Sequence, residues 1–188
     1  MDLGKLPEGW AIWEIEPVEP GSRRTLDERA VGRGSISRAV VSKRVMELPA
    51  GSPIRKKVVT SAIRGAFGLM NRLEFDGMLR AYAEDVTFQY DDGLVVGITG
   101  EGQGRHALRD FLLQFDDVFE QRLTFPRLVV DPGGATFAGF VEAKTREPRS
   151  GMELTVPMWN VWTIENGVVA RQVVTGVRDA ALSQLPGY

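Results

Sequence analysis

Histidine and cysteine, the residues that most often carry nucleophilic or metal chemistry, are almost missing: the 188-residue chain has one His, His106, and no Cys. That removes disulfides, thiolate zinc sites and cysteine nucleophiles, and leaves carboxylates as the residues able to supply several metal ligands. Adjacent acidic pairs include Glu84 with Asp85, Asp91 with Asp92 and Asp116 with Asp117. Adjacent side chains point to opposite faces of a strand and diverge by about 100 degrees on a helix, so adjacency builds no chelate. Neither a metal nor a cofactor is expected. His106 lies beside Arg105 and close to Arg109 at the start of a helical pattern, where a solvent-facing ring is the simplest reading. Gly100, Gly102 and Gly104 are not followed by the Gly-Lys-Ser/Thr of a phosphate loop and read as a flexible turn entering that helix. Glu142 interrupts an apolar strand, but it shares parity with Lys144, which puts both on solvent.

The elements that must position any site follow from hydrophobic spacing. Ser52-Pro53 supplies an N-cap and a first-turn proline, and from Ile54 the positions Val58, Val59, Ala62, Ile63, Ala66, Phe67 and Met70 form one helical stripe. Phe75, Met78, Leu79 and Tyr82 repeat the pattern in a second helix. Leu108, Phe111, Leu112, Phe115, Val118 and Phe119 do so in a third, over 105–119. Val86, Phe88 and Tyr90 alternate with Thr87 and Gln89 as a strand with one apolar face. Beyond Glu120 the period becomes two, with strands near 122–131, 135–146, 152–165 and 168–177. Asn166-Gly167 joins the last two as a tight hairpin, because both turn positions require positive φ. Helices grouped ahead of an antiparallel meander predict an α+β layer with helices on one sheet face.

Composition is that of one globular unit: 43% hydrophobic, 26% charged, net charge −2. The first twenty residues carry Asp2, Glu8, Glu14, Glu16 and Glu19 and lack a signal peptide's apolar stretch, and no run is long enough to span a membrane. A cytoplasmic location is expected. Residues 22–64 hold eleven Lys or Arg against Asp27, Glu28 and Glu47, yet contain no aromatic residue to stack on bases. This reads as a solvated face or an arm on acidic surface, and argues against a nucleic-acid partner. Residues 1–51 read as a partly extended N-terminal extension, with Trp10 and Trp13 as anchors and a short helix near 37–47. They are expected to add little to the core. Residues 52–186 read as the folded domain.

The run Asn71-Arg72-Leu73-Glu74-Phe75-Asp76, the acidic pair opening the strand of Val86 and Phe88, Gly104-Arg105 followed by Ala107-Leu108 and Phe111-Leu112, and Asn160-Val161-Trp162-Thr163-Ile164-Glu165-Asn166-Gly167 occur in a familiar order. Together they resemble the SnoaL-like branch of the nuclear transport factor 2-like superfamily, over about 130 residues, the size of one small domain. The resemblance implies a cone: a curved antiparallel sheet of cystatin-like topology wrapped around three N-terminal helices, open at one end and usually paired as a homodimer. Relatives include ketosteroid isomerases, polyketide cyclases, epoxide hydrolases and dehydratases, so fold does not give function.

Set against ketosteroid isomerases, the resemblance puts Tyr90 where those enzymes keep a general-base aspartate, Ala66 where they keep an oxyanion-hole tyrosine, and Asn160 where a protonated aspartic acid donates a hydrogen bond. A phenol, with a reference pKa of about 10, is a poor base near neutrality. Steroid isomerisation by that route is therefore not expected. Tyr90 and Asn160 remain the catalytic candidates, as a phenol and an amide able to hold a carbonyl oxygen or an enolate. The plainer reading makes them satisfied polar groups of the core. Phe88 shares the parity of Tyr90, and Trp162 and Ile164 share that of Asn160; with Phe67 they form the expected ligand-binding wall. The expected function is a pocket for a small apolar metabolite, with cofactor-independent acid-base chemistry of cyclase, isomerase or dehydratase type, or else a noncatalytic ligand-binding or dimerisation domain. On strand parity Trp159 and Val161 face outward, an apolar patch that a partner sheet would cover in a homodimer. Pro157 is expected to mark a bend or bulge that resets the register.

Overall fold

The computed structural model describes residues 6–15, 43–91, 100–118, 120–146 and 150–188. Seven strands form one sheet in the order β1-β4-β5-β6-β7-β2-β3. These are β1 (Ala11–Glu14), β2 (Tyr82–Tyr90), β3 (Gly100–Gln103), β4 (Glu120–Val130), β5 (Thr136–Arg146), β6 (Glu153–Glu165) and β7 (Val168–Thr175). The helices are α1 (Lys43–Met46), α2 (Pro53–Met70), α3 (Phe75–Leu79), α4 (Arg105–Val118) and α5 (Arg178–Leu182). The result is the expected α+β cone, a curved sheet closed on its inner face by helices. All described strand pairs are antiparallel except β2 with β7, which run parallel.

Local chemistry accounts for the boundaries. Ser52 caps α2, its Oγ accepting from Arg55 N at 3.3 Å, and Pro53 occupies the first turn, where a missing N–H costs nothing. Asn166 (φ 50°) and Gly167 (φ 81°) form the tight β6–β7 turn. The second helix is shorter than its apolar spacing predicts. Leu73 takes a left-handed φ of 61°, α3 ends at Leu79, and Tyr82 opens β2 opposite Val169.

Each sheet face carries its own apolar cluster. The inner one joins Val59, Ile63, Val86, Phe88, Leu108, Leu112, Phe125, Val141 and Trp162 between sheet and helices. Close packing is set by a glycine. A Cβ at Gly139 would overlap the Phe125 ring and lie 2.8 Å from Trp162 Cζ3, so β5 must be bare there for the two rings to meet. The register shifts once in β4, between Thr124 and Arg127 around Pro126, which lets both Phe125 and Leu128 face inward. Pro157 resets nothing: β5 and β6 pair without interruption from Thr136 to Arg146.

The outer cluster contains Val129, Ala138, Phe140, Trp159, Val161 and Val173, roofed by Ala181, Leu182 and Leu185 at the C-terminal end and by Leu6 and Trp10 at the N-terminal end. Trp159 and Val161 do face outward, but Trp159 is only 2% exposed. The chain itself covers the patch that was expected to need a partner sheet.

The described parts of the first fifty residues are also more integrated than expected. β1 pairs with β4, Trp13, Ile15, Met46 and Ala50 are buried in the inner cluster, and Trp13 Nε1 donates to Ala50 O at 3.1 Å. Buried Arg55 ties these pieces together. It donates to Leu48 O at 3.0 Å and Asp131 O at 3.1 Å, and its guanidinium lies 5.9 Å from the centre of the Trp13 ring. Burial pulls the Arg55 guanidinium down and pushes the Asp131 carboxyl up, each partly offset by the other's charge. The helix expected near 37–47 is seen as Lys43–Met46, ending in a turn at Glu47; 37–42 lie outside the described residues.

Candidate functional site

Period-two strands bring the candidate side chains together on the inner face. β6 aims Asn160 and Trp162 inward, and β2, at the far side of β7, aims Phe88 and Tyr90 inward. The expected group Phe67, Phe88, Tyr90, Trp162 and Ile164 belongs to the inner cluster, with Phe88 and Trp162 buried and Phe67, Tyr90 and Ile164 half-buried. Asn160 is 6% exposed. Two aromatic groups belong to this inner cluster. Phe67, Phe125, Phe137 and Trp162 pack with centroids 5.3–6.2 Å apart, and Phe88, Tyr90 and Phe111 pack at 4.6–6.3 Å.

Between the two groups lies a polar link that sequence reasoning missed. Gln172 Nε2 donates to Asn160 Oδ1 at 2.8 Å and reaches Tyr90 Oη at 3.4 Å. Tyr90 and Asn160 therefore share one partner. Gln172 was hidden by a register shift. A regular hairpin through Asn166-Gly167 would pair Trp162 with Arg171 and turn Gln172 outward; a shift between Thr163 and Ile164 instead pairs Trp162 with Gln172 and turns the amide inward.

Tyr82, assigned from sequence to a helix, is the other missed member. Burial pushes its phenol up to about 12, partly offset by a hydrogen bond with Trp162. Burial also pushes the Tyr90 phenol far above its ordinary value, with Tyr82 adding to the rise. Both phenols keep their protons at neutral pH. The site thus offers neutral donors and acceptors. Among the described residues the buried charges are Arg55 and Asp131, which pair with each other at the α2 N-terminus. Asp131 also accepts from Gly134 N in the β4–β5 turn, a structural role.

The remaining candidates fall outside the site. His106, Glu84 and Asp85 are exposed, and Glu142 lies on the outer face, in line with Lys144. Asp92 is outside the described residues, and among those described no group of His, Asp and Glu could hold a metal. Gly100 and Gly102 are not a flexible turn. They lie in edge strand β3, where a Cβ would come within 2.8 Å of the Phe111 and Phe88 rings, so they let the strand close over those aromatics. A shallow groove also runs past Thr87, Phe88, Gln89, Glu101, Gly102, Gln103, Arg171 and Gln172, where β2, β3 and β7 meet.

The SnoaL-like domain model matches residues 63–172, more than half of the chain. The chain belongs to this SnoaL-like family. Solved structures agree on the fold. TerC, co-crystallized with polyporic acid, is 20% identical with a TM-score of 0.55, the match covering 66% of this chain and 95% of that one. A nuclear transport factor 2-like protein from Burkholderia pseudomallei is 20% identical with a TM-score of 0.54, over 66% and 95%. SalBIII, an epoxide hydrolase/cyclase-like enzyme with a role in pyran ring formation in salinomycin, is 18% identical with a TM-score of 0.50, over 60% and 84%. No curated protein matches the chain. Among the described residues, no helix of this SnoaL-like protein is long and apolar enough to cross a membrane.

Proposed function

We propose that the chain takes up an uncharged, apolar, ring-containing metabolite between its helices and its sheet and holds a carbonyl oxygen of that ligand with Tyr90 and Asn160. One observation carries the reading: both groups meet Gln172 on the inner face, beside two sets of aromatic rings. Rings supply apolar area, and a few fixed polar atoms supply orientation, the usual make-up of a small-molecule site. Phe67, Phe88, Trp162 and Ile164 are the proposed walls.

Family membership and the cyclase-like neighbour support a cofactor-independent, cyclase-like role. Tyr90 acts in it as a proton-bearing donor, since its raised pKa makes the phenolate base costly. A donor aimed at a carbonyl oxygen stabilises the charge that builds up on enolisation or ring closure. The domain is assigned to 52–186, in the cytoplasm, with the preceding segments docked on it.

The aromatic contacts favour a second reading, in which the interior is filled by the protein's own rings and the chain is a noncatalytic binding or dimerisation domain. A homodimer in that case uses a surface other than Trp159, which the chain itself covers. Mass spectrometry of small molecules released from natively purified protein separates the two. A stoichiometric neutral aromatic or polycyclic compound is expected, displaced in an Asn160→Leu variant. Protein that carries none, and binds none from a panel of neutral aryl ketones, supports the second.

A further inference from the structure

We propose that Gln172 is the positioning residue of this site, and that by clamping Asn160 and Tyr90 it selects a ligand bearing both a carbonyl and a nearby hydroxyl. The inference rests on the interior-pocket reading above and goes further by assigning the direction of each hydrogen bond. Gln172 Nε2 donates to Asn160 Oδ1 at 2.8 Å, so the Asn160 carbonyl end is occupied and its Nδ2 is turned away from Gln172. The same amide group reaches the Tyr90 oxygen at 3.4 Å, which uses that oxygen as an acceptor and leaves its proton to be donated elsewhere. Among the described residues, neither Asn160 Nδ2 nor Gln172 Oε1 has a hydrogen-bond partner.

Three polar atoms of fixed polarity therefore remain for a ligand: two donors, Asn160 N–H and Tyr90 O–H, and one acceptor, Gln172 Oε1. A polar atom that a bound ligand covers without pairing costs free energy, so the ligand that suits these atoms satisfies all three. A carbonyl oxygen answers the donors, and a hydroxyl beside it answers the acceptor. A carboxylate answers the donors but meets the glutamine oxygen with like polarity. The described buried cation, Arg55, is already engaged by Leu48 O and Asp131 O. The clamp also depends on the register shift in β7, which is what turns Gln172 inward. The irregularity in the hairpin and the chemistry of the ligand are thus linked.

The test is calorimetric titration of the full chain with three neutral bicyclic probes: tetralin, 1-tetralone and 2-hydroxy-1-tetralone. Wild type is expected to bind them in rising order, each added polar group improving affinity by about three- to tenfold, the range of one net hydrogen bond. Gln172→Glu supplies only acceptors, so Asn160 and Tyr90 must turn their donors toward it, and both polar increments are expected to vanish. Gln172→Met removes the clamp as well as the acceptor, and is expected to lose the hydroxyl increment and to weaken the ketone increment. If none of the probes binds wild type, the pocket reading itself fails. If the hydrocarbon and ketone bind but the hydroxyl adds nothing, or if the probe order survives in both variants, the pocket stands and the role of Gln172 is overturned.

Discussion

Phe125 occupies the volume that a side chain at Gly139 would need: a Cβ built there overlaps the Phe125 ring and crowds Trp162. Gly139→Ala is therefore expected to destabilise the fold by about 1–3 kcal/mol, as overpacked cores do. Chemical denaturation measures it, and Phe125→Leu in the same chain should recover part of the loss. Additive losses would mean that the two residues do not share space.

Removal of residues 1–50 is expected to lower thermal stability sharply. It deletes β1 and exposes the edge of β4, and it strips Trp13, Ile15, Met46 and Ala50 from the inner cluster. Ile15 and Met46 alone contribute about 1.5–3 kcal/mol each by burial. A chain beginning at Gly51 that melts cooperatively at the wild-type temperature would show the docked segments to be dispensable.

Much of this architecture is legible in the sequence, and the exceptions have physical causes. The N-cap at Ser52, the Asn166-Gly167 turn and the stripe of α4 depend on local chemistry, which sequence carries directly. Parity within one unbroken strand also holds: Asn160 and Trp162 face in, Trp159 and Val161 face out. Register shifts are not local. Gln172 was missed because one irregularity in β7 reverses its face, and a bulge was expected at Pro157 but lies near Pro126 instead. Docking of chain ends is not local either. Trp159 reads as an interface anchor until Leu182 and Leu185 are seen packed in the same cluster.

Trp159→Arg distinguishes these views. Buried under its own chain termini, Trp159 cannot be replaced by a charge without loss of the fold, and truncating so large a side chain costs about 3–5 kcal/mol from packing alone. The variant is expected to lose stability at every protein concentration. A variant of normal stability whose light-scattering mass falls from dimer to monomer would restore the interface reading.

Stability should fall at alkaline pH through the buried phenols. A group whose folded pKa is raised stabilises fully below its unfolded value and loses that contribution as pH rises through the folded value. For Tyr82 the window runs from the unfolded value of 10 to about 12. Tyr82→Phe should flatten the decline in this range, and absorbance near 295 nm should show the phenols ionising together with unfolding. Phenols titrating near 10 in protein that stays folded would contradict their burial.

The most direct measurement of the central claim is isotope-edited NMR of the Asn160 and Gln172 side-chain amides during titration with 1-tetralone. The Asn160 Nδ2 protons are predicted to shift and show cross-relaxation to the ketone ring, while the side-chain amide of Gln89 stays in place. Unmoved Asn160 and Gln172 amides at saturating ketone, or cross-relaxation confined to the groove beside Arg171, would contradict that claim.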